Sequence, residues 1–200
     1  MKLLIATRNE GKFREFAKAL QGTGIILFSL SHFEKAPRFE ELGKTFRENA
    51  CGKALFYHRE FGFPTLADDS GLCVTALSGE PGVHSARYGG EEITDEARNK
   101  LLLSALSGIP REKRSASFHC VLAFADKGRI IKVVEESCEG IILTHPRGKH
   151  GFGYDPIFYY PPLGKTFAEL PSEVKNQVSH RGRAIVRMTA FLKNYLKKGG

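Results

Sequence analysis

The sequence lacks any long hydrophobic run. No stretch of its 200 residues approaches the roughly 18 consecutive apolar residues that cross a bilayer. The short apolar run near the N-terminus ends at Thr7 and Arg8, which is too early for a secretory signal peptide. We therefore expect a soluble, cytoplasmic protein that has no membrane partner.

Cysteine is scarce and widely spaced. The chain has four cysteines, and none of them forms a C-x-x-C pair. Structural zinc sites and redox dithiols need closely spaced pairs, so the sequence supports neither. We expect reduced thiols that are mostly buried.

A nucleotide-binding P-loop is also missing. Two segments, at 43–45 and 164–166, read Gly-Lys-Thr like the end of that motif. The glycine required five residues before the last glycine is replaced by Arg38 in one case and Tyr159 in the other. Any phosphate site in this chain must therefore be built differently.

The formal net charge of +8 is concentrated at one end of the chain. Residues 171–200 carry seven cations and one anion, which leaves only +2 for residues 1–170. This distribution predicts a local anion site or a basic tail, and we expect no nucleic-acid partner. A non-catalytic nucleic-acid-binding protein that uses the basic C-terminal helix is kept as an alternative.

Strand and helix patterns alternate along the chain, without an internal repeat or a linker. Strands are predicted at 2–6, 24–30, 64–68, 72–77, 115–125, 129–136, 141–143 and 157–160. Helices are predicted after Asn9, after Thr45 (to about residue 60), after Thr94 and at the C-terminal end. Asp69-Ser70-Gly71 is expected to be a turn. The alternation predicts one α/β domain over 1–200 with a mixed sheet.

The first group of candidate site residues follows the first strand. It consists of Thr7, Arg8, Asn9, Glu10, Gly11 and Lys12. Backbone N–H groups at a helix start, small polar side chains and a lysine together suit a phosphate group. A solvated polar turn explains the same residues equally well.

The second group is acidic and consists of Glu40, Glu41, Asp68 and Asp69. Asp68 and Asp69 are adjacent at the end of an apolar strand, where two carboxylates repel each other unless a cation or a raised pKa relieves them. Carboxylate oxygens suit Mg²⁺, which binds through one or two of them together with substrate phosphates. The alternative is a solvated turn.

The third group is Phe152-Gly153-Tyr154-Asp155, which follows Gly151. An aromatic side chain there would stack on a nucleobase, and the glycines allow a close backbone approach. Both aromatic residues would equally serve as ordinary core.

The remaining candidates are cationic: Lys53, Lys175, His180 and Arg181. Lys175, His180 and Arg181 suit the recognition of phosphate or of carbonyl oxygens on a base. Taken alone, each of them is also compatible with a solvated surface position.

Taken in order, these motifs resemble the inosine triphosphate pyrophosphatase family, which hydrolyses deaminated purine nucleoside triphosphates. The resemblance is carried by LIATRN at 4–9, ADDSGL at 67–72, PGVHSARY at 81–88, GFGYDP at 151–156 and SHRG at 179–182. It implies hydrolysis of dITP, ITP and XTP to the nucleoside monophosphate and pyrophosphate, which removes them from the nucleotide pool. A related pyrophosphatase acting on modified pyrimidine triphosphates is the nearest alternative.

The resemblance also implies roles for individual residues. Asn9, Lys12 and Lys53 would contact phosphate, and Ser70 and Lys175 would reach the substrate. The cofactor Mg²⁺ would be held by Glu41 and Asp69, with Glu40 and Asp68 nearby, and Asp69 would accept the proton. The segment from Phe152 to Asp155 would shape the base pocket, and His180 and Arg181 would read the base edge. The one departure is Arg8, since the family often has a small residue there.

The fold that the resemblance implies is a long mixed sheet flanked by helices, with two lobes and a cleft between them. It also implies a homodimer.

Overall fold

The backbone forms one mixed sheet with flanking helices. The computed structural model describes residues 1–90 and 92–197. The strands are β1 (Lys2–Ile5), β2 (Ile26–Ser29), β3 (Thr65–Val74), β4 (Ser115–Asp126), β5 (Arg129–Ile142), β6 (Phe158–Tyr160) and β7 (Lys165–Thr166). The helices are α1 (Glu10–Ala19), α2 (Phe46–Phe61), α3 (Asp95–Ala105), α4 (Ser172–Val178) and α5 (His180–Lys197). None of these helices combines the length and apolarity needed to cross a bilayer.

The sheet has seven strands in the order β2-β1-β3-β4-β5-β6-β7. β1 pairs in parallel with β2 and with β3, whereas β6 pairs antiparallel with both β5 and β7. A two-residue turn at Lys127 and Gly128, both at positive φ, joins β4 to β5 as a hairpin. The predicted α/β fold with a mixed sheet is confirmed.

The chain divides into two compact units. Unit 1 contains Met1–Asp69, Cys120–Glu136 and the chain from Arg181, and unit 2 contains Ser70–His119 and Ser137–His180. The strands β3, β4 and β5 contribute residues to both units.

Unit 1 is built around β1, whose side chains alternate between two apolar clusters. Leu3 packs with Phe16 of α1 and Met188 of α5, while Leu4 packs with Ala54 of α2. Successive side chains of a strand point to opposite faces of the sheet, so α1 and α5 cover one face and α2 the other.

Unit 2 has its own core, which is rich in aromatic rings. The ring of Phe118 lies 4.5 Å from that of Phe158 and 5.9 Å from that of Phe167. Leu102 and Leu106 at the end of α3 belong to the same buried cluster. This core anchors α3, which carries polar groups at its other end.

Three helices begin as the sequence predicts. Asn9 accepts a hydrogen bond from the N–H of Lys12 (2.9 Å) and caps α1. Thr45 caps α2 and Thr94 caps α3 in the same way. The Glu48 carboxylate accepts from the N–H of Lys44 (2.7 Å), the residue before Thr45.

The prediction of a turn at Asp69-Ser70-Gly71 is wrong. β3 runs without a break from Thr65 to Val74, and the two predicted short strands are one strand. β3 lies between β1 and β4 in the sheet. A strand with a neighbour on each side satisfies its backbone polar groups through the ladder, which outweighs a local turn preference. β5 likewise continues to Ile142 and includes most of the strand predicted separately at 141–143.

Candidate active site

The junction between β1 and α1 is held by two local hydrogen bonds. Thr7 Oγ1 accepts from the N–H of Asn9 (3.1 Å), and Asn9 Oδ1 accepts from the N–H of Lys12 (2.9 Å). Glu10 and Gly11 form the first turn of the helix. The positive end of the α1 dipole therefore lies beside the Lys12 side chain, in an arrangement suited to an anion.

The Arg8 side chain contacts a different segment of unit 1. Its side chain is exposed, and Nη2 donates to the backbone oxygen of Ala36 at 2.6 Å. The guanidinium thus ties the junction to the irregular segment that precedes α2.

Asp68 is buried between two cations. Its Oδ1 lies 2.6 Å from Lys12 Nζ, and its Oδ2 lies 2.7 Å from Arg181 Nε. Arg181 also pairs with Glu15 through Nη1, at 3.0 Å. Burial acts to lower the pKa of Arg181, but Asp68 and Glu15 raise it above its ordinary value. Arg181 is therefore a fixed cation of unit 1.

Asp69, the next residue along β3, is buried in a different environment. Its Oδ2 has no hydrogen-bond partner within the described part of the chain. Burial raises the pKa of Asp69 to about 6, and Glu41 adds to the rise while Lys53 opposes it. One carboxylate oxygen thus remains for a cation or for a proton.

Lys53 joins these acidic groups. Its ammonium forms an ion pair with Glu41 and donates to the backbone oxygen of Asp68 at 3.1 Å. Burial acts to lower the pKa of Lys53, but the nearby carboxylates of Glu41 and Asp69 raise it. The lysine therefore stays charged.

The acidic cluster offers a cation few protein ligands. Among residues 1–90 and 92–197, no three His, Cys, Asp or Glu side chains are grouped so as to hold a metal ion. Glu40 is exposed, whereas Glu41 is half-buried beside Lys53. A cation bound at Glu41 and Asp69 would take its other ligands from water or from a substrate.

In unit 2, the Asp155 carboxylate binds both the backbone at Phe152 and the side chain of Lys175. Asp155 Oδ2 accepts from the N–H of Phe152 (2.9 Å) and from Lys175 Nζ (2.5 Å). Lys175 is buried, and its Nζ lies 4.9 Å from the centroid of the Phe152 ring. Gly151 has φ +77°, and a Cβ atom there would collide with the Asp155 carboxylate. Glycine is therefore required at this position.

The two aromatic residues of this segment differ. Tyr154 is buried, its hydroxyl donates to the backbone oxygen of Ser85 (3.0 Å), and burial raises its pKa. Phe152 is only half-buried. Tyr154 is thus a core residue, and the ring that remains partly accessible belongs to Phe152.

His180 begins α5 and stacks on Phe118, with ring centroids 4.7 Å apart and planes 10° from parallel. Its ring is buried. Ser70 is half-buried in β3. Both residues belong to unit 2.

Each unit brings some of the predicted residues together. In unit 1 these are Lys12, Glu41, Lys53, Asp68, Asp69 and Arg181. In unit 2 they are Phe152, Asp155 and Lys175. Glu15, which pairs with Arg181, was not predicted as a site residue, although it follows Lys12 by three residues. Helical spacing places such residues on one face.

Comparisons with known families and proteins extend over nearly the whole chain. The profile of the Ham1 family matches residues 3–191. A dITP/XTP pyrophosphatase of Geobacillus kaustophilus is 51% identical over 187 residues, which cover 94% of this chain and 92% of that protein. A dITP/XTP pyrophosphatase of Geobacter sulfurreducens is 51% identical over 195 residues, covering 98% and 96% of the two chains.

The fold is also similar to a solved structure. A HAM1 protein from Coxiella burnetii superposes with a TM-score of 0.88 at 41% sequence identity. The superposition covers 97% of this chain and 99% of that one.

Proposed function

The chain belongs to the Ham1 family, and from that premise we propose that it hydrolyses deaminated purine nucleoside triphosphates. The substrates would be dITP, ITP and XTP, and the products the nucleoside monophosphate and pyrophosphate, so that these nucleotides leave the pool. The observation that carries the proposal is the 51% identity to two relatives named dITP/XTP pyrophosphatase over almost their full lengths.

The triphosphate would bind to the cationic side of unit 1. The side chains of Lys12 and Lys53 are mostly buried. Lys12 lies three residues after Asn9, which caps α1. A helix N-terminus and buried lysines stabilise phosphate charge more strongly than exposed lysines do. Asp68 fixes Lys12, and we assign it this positioning role.

The proposed cofactor is Mg²⁺, held by Glu41 and Asp69. The fit is supported by the buried Asp69 Oδ2, which lacks a hydrogen-bond partner in the described chain and lies near the Glu41 carboxylate. Two carboxylates plus substrate phosphates are the ligands that Mg²⁺ ordinarily takes. When bound, the ion neutralises phosphate charge and lowers the pKa of a bound water. Glu40 is exposed and would contact the ion through a water molecule.

Asp69 would accept the proton of the attacking water. An oxygen–phosphorus bond forms at the α-phosphorus, the bond to the bridging oxygen breaks, and pyrophosphate leaves. In the metal-free protein, a carboxylate with a pKa of about 6 is mostly ionised at neutral pH, which is the state that accepts a proton. Lys12 and Lys53 would stabilise the charge that develops on the phosphates. The resemblance to the family assigns Lys175 a contact with the substrate.

The resemblance to the family assigns base recognition to the segment from Phe152 to Asp155, to His180 and to Arg181. Hypoxanthine and xanthine carry a 6-oxo acceptor, whereas adenine carries a 6-amino donor. A buried donor left unpaired costs about 1–3 kcal/mol, which corresponds to roughly tenfold to hundredfold rejection of adenine. Ser70 would contact the substrate.

We further propose a cytoplasmic homodimer, since the resemblance to the family implies this assembly and the nucleotide pool is the proposed substrate source.

Product analysis tests the proposed reaction. The protein is incubated with dITP, with and without Mg²⁺, and the products are separated by ion exchange. The proposal predicts monophosphate and pyrophosphate, formed only with the metal. Diphosphate and orthophosphate would mean attack at the γ-phosphorus and would refute the mechanism.

A further inference from the structure

Both polar groups of the Gly153 backbone are bound by side chains of α3. Asp95 Oδ2 accepts a hydrogen bond from the Gly153 N–H at 2.6 Å. Asn99 Nδ2 donates to the Gly153 carbonyl oxygen at 3.0 Å. Asp95 and Asn99 are four residues apart and therefore lie on one face of the helix. Together they hold the backbone of the segment that contains Phe152.

Helix α3, which carries Asp95 and Asn99, is itself anchored to the rest of unit 2. Thr94 caps its first turn, and Leu102 and Leu106 anchor its far end in the core of unit 2. Arg98 donates to the backbone oxygens of Tyr88 (3.2 Å) and Gly90 (3.1 Å). These bonds tie α3 to the segment at 81–90, which includes the PGVHSARY motif. A fixed helix can hold its partner backbone in one position.

The Gly153 backbone needs such support. Gly153 has φ +61°, a region that glycine enters freely and also leaves freely. On one side, Asp155 accepts from the N–H of Phe152. On the other side, Asp95 and Asn99 form hydrogen bonds with the N–H and the carbonyl oxygen of Gly153. Hydrogen bonds therefore fix the backbone both before and after the Phe152 carbonyl.

We infer that Asp95 and Asn99 are positioning residues that orient the Phe152 ring for the base of the substrate. This inference rests on the proposed function, because it takes the segment from Phe152 to Asp155 as the base-binding element. The base is remote from the phosphorus that reacts. Loss of the two contacts therefore weakens substrate binding more than it slows the chemical step.

The test compares Asp95→Ala, Asn99→Ala and the conservative Asp95→Asn with the wild-type protein. Kinetics are measured with dITP and Mg²⁺, and inorganic tripolyphosphate, which has no base, serves as a competitive inhibitor. Each alanine variant is expected to raise KM for dITP about tenfold, with kcat changed by less than about twofold. The inhibition constant of tripolyphosphate stays at the wild-type value. Asp95→Asn keeps an oxygen that accepts from Gly153 and gives an intermediate KM.

Glu96→Ala is the matched control. Glu96 is also an acidic residue in the first turn of α3, and with Asp95 and Asn99 it lines a cavity of about 350 Å³ beside Phe152. Its carboxylate, however, pairs with Lys100 at 2.8 Å. It therefore controls for lost helix-terminal charge and for changed cavity shape. The expected KM for dITP is that of the wild type.

Three results would overturn the inference: an unchanged KM in the folded alanine variants, an equal loss of tripolyphosphate binding, or the same KM increase in Glu96→Ala. If Asp95→Ala does not fold, Asn99→Ala and Asp95→Asn decide the question. Failure of the proposed function is distinguishable, because the wild-type protein itself would then not hydrolyse dITP, and the inference would fall with it.

Discussion

Replacing Asp69 by asparagine should stabilise the folded protein at neutral pH, because it removes a buried negative charge. Burial raises the pKa of Asp69 to about 6 in the folded protein, whereas an aspartate in an unfolded chain titrates near about 3.9. The folded state therefore binds this proton more tightly. A pKa difference of about two corresponds to about 3 kcal/mol, which the folded protein loses when the carboxylate is charged.

The direction of the pH dependence follows from the same two pKa values. A group whose folded pKa is raised contributes its stability fully below the unfolded pKa, and this contribution is lost as the pH rises through 6. The Asp69→Asn variant does not titrate at this position. Between pH 4 and pH 7.5, the free energy of unfolding of the variant should therefore rise relative to that of the wild type by about 2 kcal/mol, since the rest of the change falls below pH 4.

Urea unfolding at a series of pH values, with divalent cations removed by a chelator, measures this difference. Glu60→Gln removes an exposed carboxylate from α2 and controls for the change in net charge. Addition of Mg²⁺ at pH 7.5 should stabilise the wild type and leave Asp69→Asn unchanged, because a ligand that binds only the folded state stabilises it. Parallel pH profiles for the two proteins, or equal stabilisation by Mg²⁺, would refute the reasoning about Asp69.

Three further predictions concern turnover and stability. Asp69→Asn should abolish dITP hydrolysis while its circular dichroism spectrum remains that of a folded protein, and near-normal turnover would remove Asp69 from the mechanism. Lys53→Ala should lower kcat/KM for dITP at least tenfold, since it removes a largely buried ammonium group that we propose contacts phosphate. Exposed Lys44→Ala should leave kcat/KM unchanged, and equal values for the two variants would return Lys53 to a structural role. Arg181→Ala should cost about 3–5 kcal/mol in urea unfolding because it removes the buried cation that pairs with Asp68 Oδ2 and with Glu15. Arg187→Ala on the same helix, in an exposed ion pair, should cost less than about 1 kcal/mol.

Local patterns in the sequence were sufficient to predict the mixed sheet and most helix starts. The caps at Asn9, Thr45 and Thr94 are short-range features, and each is present in the structure. The path of β3 through Asp69 was not predictable in this way. The preference of Asp-Ser-Gly for a turn is local, but the strand is completed by β4, whose residues lie about 50 positions further along the chain.

The same limit applies to the candidate site. Charge and residue type identified Lys12, Asp68 and Arg181 as candidates, but the pairing of Asp68 with Arg181 joins residues 113 positions apart. The hydrogen bond from Asn99 to Gly153 joins residues 54 positions apart. Spacing along the chain carries no information about such contacts, which depend on how the sheet brings distant segments together.

The central claim is that the protein selects deaminated purines. Values of kcat/KM for dITP, XTP, dGTP, dATP and dCTP, measured side by side with Mg²⁺, test it most directly. The account predicts that dITP and XTP are hydrolysed to monophosphate and pyrophosphate at least tenfold more efficiently than dATP, as expected for one unpaired donor in the base site. Equal values for dATP and dITP, or a preference for a pyrimidine triphosphate, would contradict it.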